Sequence, residues 1–384
     1  MKSVDIVCYT SKLCNLRCRY CYELPMLSDR TRMSFDQVER MFENVAAGYR
    51  GSAEPIAINF QWHGGEPLLI PPDVYHKIFE IQRSVFAGSP HRITNTTQSN
   101  FTVMDDDRIA LLRDFDGVGI SLDLFTGLRV NGQGVCQESR ALGNLERVRA
   151  SGVPVGGITV LTRRNASRVR EIYEFYRARR MSFRVLPLEK GLYPDEHDFG
   201  LGPREVLEAY RTLSTCWLAD DQPVDIQPLD RYLFLVVRAN FHPENRVGLH
   251  DPQGWASVLL VDTDGSVYTY GERFERSLGN LFTTPLDRLL TGREYHDAAA
   301  TVEQLMHATC ERCPNYGRSC TGDPIGQSRQ DYVEREDDGS VRCVVARGII
   351  QHLEELLTES GSISGGTVHG LEKIFAGRVS FAVD

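Results

Sequence analysis

Cys14-Asn15-Leu16-Arg17-Cys18-Arg19-Tyr20-Cys21 sets three thiols at CxxxCxxC spacing directly after a strand-like opening, Val4-Asp5-Ile6-Val7-Cys8-Tyr9. Three ligands are one short of a closed site. A structural zinc asks for four protein ligands and each iron of a cubane cluster asks for one outer ligand, so a local trio leaves one metal corner open to another molecule. Neither an apolar core segment nor a disulfide framework describes the stretch, because Asn15, Arg17, Arg19 and Tyr20 interleave the thiols and make it a loop.

The 384 residues, 41% hydrophobic and 25% charged, are enough for a large core and two domains. A formal charge of −9 argues against non-specific binding to nucleic acid or an anionic membrane surface, which needs clustered Lys and Arg. The N-terminus carries no basic-then-apolar signal, and no apolar run approaches the ~20 residues that span a bilayer. A cytoplasmic protein without nucleic-acid or membrane partners is therefore expected. Ten cysteines, bunched at 14–21 and 310–343, suit metal ligation in a reducing compartment better than disulfides.

Strand-like and helix-like stretches alternate through the first half. Strands are predicted at 4–9, 56–62, 91–97, 118–122, 153–161 and 183–187. Helices are predicted at 34–49, where Ser34 is a cap and Val38, Met41, Phe42 and Val45 recur at helical spacing, and at 73–86, 105–114, 137–151 and 165–179. Such βα repetition predicts an α/β fold with a parallel sheet whose working edge lies at the strands' carboxyl ends. The cysteine loop lies at that edge. So do Gly64-Gly65-Glu66-Pro67, Gln98-Ser99-Asn100 and Ser121-Leu122-Asp123, each closing a strand. Taken singly, each also reads as a turn or a helix cap; together they share one positional phase.

These four stretches in this order resemble the radical S-adenosylmethionine (SAM) enzymes over roughly the first 190 residues. The resemblance implies a partial (β/α)6 TIM-like barrel in which Cys14, Cys18 and Cys21 bind three irons of a [4Fe-4S] cluster. SAM chelates the fourth iron and is cleaved to a 5′-deoxyadenosyl radical that abstracts a hydrogen atom. It further implies that Gly64, Gly65 and Glu66 hold the SAM amino group, that Gln98, Ser99 and Asn100 form the third cofactor motif, and that Ser121 and Asp123 lie near the ribose and methionine. Tyr20 matches the aromatic residue beside the adenine. Arg129 either answers the SAM carboxylate or is an exposed helix-end arginine. The third motif departs from the family at Phe101, where a glycine is usual.

Past residue 195 the alternation fades. Tyr193 to Asp198 is a polar break, followed by helices near 203–218 and 229–240, and 196–255 reads as a bridge. Asp198, His242, Glu244 and His250 are acid–base candidates there, although isolated polar residues in a connector are usually solvated. A hairpin with an Asp264-Gly265 turn spans 258–268, Leu278-Gly279-Asn280 follows, and then come Cys310, Cys313, Cys320 and Cys343. Four thiolates close a tetrahedral zinc or a cubane site equally well by spacing. Cys8, Cys136 and Cys216 have no ligand partners at such spacing and read as packing. This half resembles the SPASM extension of radical SAM enzymes in part, which implies a smaller cysteine-rich hairpin-plus-helix domain with one auxiliary [4Fe-4S] cluster. The expected domains are a core at 1–195, the bridge, the auxiliary domain at 256–348 and a C-terminal helix and tail at 349–384. A flexible linker at 360–366 precedes a packed end that includes Phe375 to Phe381.

In sulfatase-maturing relatives an aspartate after the hairpin acts as base. Gly271 stands there in this chain, which argues against oxidation of serine or cysteine to formylglycine. The resemblance then implies a maturase that crosslinks or otherwise modifies a ribosomally made peptide, fed by a reductant such as flavodoxin or ferredoxin. A dehydrogenase or epimerase of a small antibiotic-like or sugar substrate is the alternative enzyme; a non-catalytic Fe-S or zinc scaffold is the alternative of another class.

Overall fold

The computed structural model describes residues 2–188, 198–241, 247–254, 256–269, 276–326, 332–337, 339–364 and 367–368. The break at 193–197, His242, Glu244, Gly271 and the segment 375–381 lie outside them. Six βα repeats open the chain: β1 (Ser3–Ser11), α1 (Phe35–Tyr49), β2 (Ala57–Gly64), α2 (Pro72–Val85), β3 (Arg92–Ser99), α3 (Asp106–Leu111), β4 (Gly117–Ser121), α4 (Glu138–Ala150), β5 (Val155–Leu161), α5 (Val169–Ala178), β6 (Phe183–Pro187) and α6 (Pro203–Ala219). After them come β7 (Ile226–Gln227), α7 (Leu229–Phe241), β8 (Val258–Val261), β9 (Ser266–Thr269), β10 (Gly279–Asn280), α8 (Leu286–Leu290), α9 (Arg293–Cys310) and α10 (Asp323–Gly326). The described chain closes with β11 (Val333–Arg335), β12 (Val341–Cys343), α11 (Val345–Glu359), β13 (Ile363–Ser364) and β14 (Thr367–Val368).

Contacts group the chain into two compact units, one of Met1–Leu122, Gly127–Gly156 and Asp251–Glu303, the other of Asp123–Thr126, Gly157–His250 and Gln304–Asp384. In the first, β1, β2, β3 and β4 pair in parallel in chain order. The alternation of a strand explains how they are clothed. Ile58, Phe60 and Trp62 are buried on one face of β2, where Phe60 meets Phe42 of α1 edge-on at 4.9 Å and Trp62 meets Tyr75 of α2 at 6.0 Å. The intervening residues Asn59, Gln61 and His63 point to the opposite face, which is polar and only half-buried. Ser34 caps α1 in a reciprocal box with Gln37, as its sequence predicts. The hairpin β8–β9 does not stand apart: β8 runs parallel to β1, Asp5 beside Val258 through Cys8 beside Val261.

In the second unit β5, β6 and β7 pair in parallel. Tyr176 of α5 stacks on Phe183 at 4.2 Å, and Gly157 leaves the room for that ring: a Cβ there would come within 2.2 Å of it. Helix α11 packs on α6 and α7. Two elements differ from the sequence reading. Residues 293–310, which carried no prediction, form a helix of 18 residues that delivers Cys310 at its end. The expected linker at 360–366 contains β13, which pairs antiparallel with β14. No helix among the described residues is long and apolar enough to cross a membrane.

Candidate functional site

The cysteine loop is held by backbone on both sides. Arg17 and Arg19 N–H donate to the carbonyls of Val130 and Leu128 at 2.7 and 3.0 Å, and Cys14 N–H donates to Leu27 O at 3.1 Å. The Arg17 guanidinium ties the turn to itself through Cys14 O and Leu16 O at 2.8 and 2.6 Å. Burial pushes the Cys14 and Cys21 thiols up to about 12, and the neighbouring Cys18 raises both further. Three thiolates this close, drawn out of water, need a cation among them. Among the described residues no three His, Cys, Asp or Glu side chains converge on a point that a single ion would occupy. A [4Fe-4S] cluster would offer each of these thiolates its own iron.

The glycines after β2 let two stretches of backbone approach closely. A Cβ on Gly64, whose φ is +110°, would lie 2.3 Å from Ser11 O, and one on Gly65 would lie 2.3 Å from Leu13 O and Lys12 O. They let the end of β2 run against the entry to the cysteine loop, where Gly65 and Glu66 N–H bond to Ser11 O and Leu13 O at 3.1 and 2.9 Å. Glu66 is 3% exposed, and burial raises its pKa. Its Oε1 accepts from Ser99 Oγ at 2.7 Å and Leu68 N–H at 3.0 Å, its Oε2 from Asn100 N–H at 2.8 Å. Asn100 in turn donates to Asn15 Oδ1 at 3.1 Å, beside Cys14. The motifs after β1, β2 and β3 thus form one hydrogen-bonded network.

Phe101 takes the place of the usual glycine without loss of the loop. It adopts φ +54°, is fully buried, and its carbonyl accepts from Asn144 Nδ2 at 2.7 Å. The left-handed conformation costs about 1–2 kcal/mol for a non-glycine residue, which the burial of a whole phenyl ring offsets. Gln98 donates to Ser121 Oγ at 2.9 Å, with Gly119 beneath it making room. Arg129 is not a helix-end arginine; it lies in the segment paired with the cysteine loop and donates to Tyr20 Oη at 3.1 Å. Its charge also bears on Glu66, Cys14 and His63. Asp123 is assigned to the other unit, buried, and accepts from Val160 N–H at 2.8 Å.

The sequence reading missed a polar group beside this network. The rings of Tyr9 and His63 stack at 5.6 Å, Tyr9 Oη contacts Tyr22 Oη, and Lys12 pairs with Asp262 at 2.7 Å. Buried Nδ1 of His63 and Oε1 of Glu23 have no hydrogen-bond partner among the described residues. Strand alternation alone placed Tyr9 and His63 on the same sheet face, at neighbouring register positions. Burial first, then the Arg129 charge, lowers the His63 pKa to about 4. Unfolded, the ring takes a proton near pH 6.5; folded, it refuses one, so its contribution is intact above 6.5 and is lost as pH falls toward 4. Urea unfolding should show His63→Gln retaining up to about 3 kcal/mol more of its neutral-pH stability at pH ~4 than the parent does; parallel pH profiles would refute this.

The second thiol set also comes together. Cys310, Cys313, Cys320 and Cys343 line one small pocket, alongside Thr309 and Arg347. The turn after α9 is wound on Asn315 O, which accepts from Ser319 and Cys320 N–H at 3.0 and 2.9 Å. Cys343 ends β12 and receives backbone N–H groups of Ala346 and Arg347 at the start of α11. Burial raises Cys310 to about 12 and Cys320 to about 11, with the other thiols adding to it. Cys8 is packing, as expected, whereas Cys136 is exposed and Cys216 half-exposed, so neither is a core residue. Asp198 pairs with Arg163, and His250 lies 3.5 Å from Asp323.

Residues 8–176 match the radical SAM superfamily. A serine-type anaerobic sulfatase-maturating enzyme of Bacteroides thetaiotaomicron is 22% identical over 337 residues, covering 81% of this chain and 80% of its own. The solved structure of native anSMEcpe with bound AdoMet and Cp18Cys peptide matches with a TM-score of 0.70 at 19% identity, over 93% of this chain and 97% of that one. Streptococcus suis SuiB bound to precursor peptide SuiA matches with a TM-score of 0.54 at 15% identity, over 77% and 66%. The chain carries a radical SAM domain homologous to anaerobic sulfatase-maturating enzymes, and its α/β fold is theirs.

Proposed function

We propose that this radical SAM enzyme abstracts a hydrogen atom from a carbon of a ribosomally made peptide, and that the net change is a crosslink or a related oxidation. The observation that carries the reading is the single network joining Cys14, Asn15, Glu66, Ser99 and Asn100. In it Cys14, Cys18 and Cys21 hold a [4Fe-4S] cluster, and SAM fills the remaining ligand position. Together these groups supply hydrogen abstraction from an unactivated carbon. Glu66 fixes the Ser99-Asn100 loop against the cysteine loop and presents negative charge toward an ammonium group. Arg129 and Tyr20 supply a guanidinium for a carboxylate and a ring for a base to lie on. Gln98 and Ser121, hydrogen-bonded to each other in the same unit, add further cofactor contacts. Cys310, Cys313, Cys320 and Cys343 hold an auxiliary [4Fe-4S] cluster with no protein ligand missing.

A peptide substrate is supported by relatives solved with peptides, anSMEcpe and SuiB. Oxidation of serine or cysteine is the second reading, favoured by the sulfatase-maturating relatives and disfavoured by Gly271. Mass spectrometry after incubation with peptides encoded beside the gene, and with serine or cysteine peptides of sulfatase type, separates the two. Loss of two hydrogens with fragments that stay linked is the expected result. Conversion of the sulfatase-type peptide would transfer the assignment to the second reading, and no change in any peptide would overturn both.

A further inference from the structure

Beside the cofactor motifs lies a second set of polar side chains to which the cofactor contacts give no role. It is organised on the face of the first unit's sheet turned away from α1 and α2. Tyr9 on β1 is paired with His63 on β2, and the register of Trp62 beside Thr97 sets Gln98 next in the same row. On the other side of Tyr9, Asp262 follows the β8 residue paired with Cys8. Gln98 belongs to the third cofactor motif, so the row lies at the level of the cofactor.

Two buried atoms of this set have no partner among the described residues, Oε1 of Glu23 and Nδ1 of His63. Both residues meet Tyr9, whose ring stacks on His63 at 5.6 Å and whose hydroxyl, in contact with Tyr22, also bonds to the Glu23 carboxyl. Glu23 is only 3% exposed. The cation that bears on it is Lys12, and Asp262 already holds that ammonium at 2.7 Å. Glu66, by contrast, is satisfied by Leu68, Ser99 and Asn100. Burial and the Arg129 charge keep the His63 ring neutral at neutral pH, so it does not supply the missing cation. A buried carboxylate is costly without a counterion, and native interiors leave few polar atoms unpaired. A carboxylate oxygen accepts, and so does the Nδ1 of a neutral imidazole that carries its proton on Nε2. Two such acceptors beside one tyrosine suit a group with several N–H donors and a positive charge.

We propose that Glu23, together with His63, receives a cationic side chain of the peptide substrate, a lysine ammonium or an arginine guanidinium. The inference rests on the peptide-modifying reading and adds the class of residue that the site selects. Binding the cation satisfies the unpartnered carboxylate oxygen with a charge-assisted hydrogen bond. A neutral side chain of the same size leaves that oxygen unpaired, which is the source of the selectivity.

Calorimetric titration of the anaerobically reconstituted, SAM-loaded full chain with n-butylammonium, n-propylguanidinium and neutral n-butanol tests this. One of the two cations should bind the parent about tenfold more tightly than n-butanol, and Glu23→Gln should remove the difference. His63→Leu should weaken the same cation. Urea unfolding of Glu23→Gln should need as much denaturant as the parent or more, because the carboxylate has no counterion of its own to lose. Equal binding of all three probes by the parent, or cation binding that Glu23→Gln leaves unchanged, would overturn the proposal. A marked loss of stability in Glu23→Gln would assign the carboxylate to Lys12, and weaker SAM binding would assign it to the cofactor; either would overturn it too. So would conversion of a peptide whose lysines and arginines are all replaced by norleucine. Cation binding that depends on Glu23 in a protein that converts no peptide would uphold the cation site and remove only the peptide reading.

Discussion

Replacing Cys14, Cys18 and Cys21 together by alanine should halve the bound iron and sulfide and reduce 5′-deoxyadenosine formation to background. The two ligand sets are separate. The first three thiols lie in one loop tied to Glu66 through Ser99, Asn100 and Asn15, and the other four line a pocket of their own in the second unit. Neither set completes the other. Iron analysis of the triple variant should therefore show about four irons remaining. Cys343→Ala should give the complementary result, depleting the second set while SAM cleavage with dithionite persists. Retention of all iron in the triple variant, or its complete loss there in a protein that remains folded, would contradict the separation.

Breaking the Lys12–Asp262 pair should cost about 3–5 kcal/mol of stability. The two side chains are only 11% and 8% exposed and lie 2.7 Å apart, joining the end of β1 to the turn after β8. Asp262 Oδ1 also accepts from Thr263 N–H at 2.6 Å, so the carboxylate is oriented as well as paired. Asp262→Asn leaves a buried ammonium whose remaining hydrogen-bond partner is the Met26 sulfur at 3.5 Å, with the Glu23 carboxyl in electrostatic range. A double replacement, Lys12→Met/Asp262→Leu, removes both charges and should recover most of the loss. Chemical denaturation of the single and the double variant beside the parent is the measurement. Single variants within about 1 kcal/mol of the parent would mean that the pair behaves as an exposed one.

Much of this molecule is legible in its residues because the βα repeats obey local rules. Apolar alternation in Ile58-Asn59-Phe60-Gln61-Trp62 and the Ser34 cap locate their elements to within a residue or two. The thiol spacing likewise separates an open trio from a closed quartet. What escapes is tertiary. The parallel pairing of β8 with β1 joins residues some 250 positions apart, as the Lys12–Asp262 bond does. The spacing did not show that the Cβ which Gly64 and Gly65 each lack would strike the backbone leading into the cysteine loop. Arg129 could not be told from a surface arginine until its segment was seen against that loop. Phe101 shows the reverse case: a departure from the family motif that the backbone absorbs at positive φ.

The central claim is that Cys14, Cys18 and Cys21 hold a cluster whose missing ligand is SAM. The most direct measurement is chromatography of the anaerobically reconstituted, dithionite-reduced full chain after incubation with SAM and no substrate. The account predicts 5′-deoxyadenosine and methionine in equal amounts, and neither from the triple alanine variant. A protein loaded with both clusters that leaves SAM intact would contradict it.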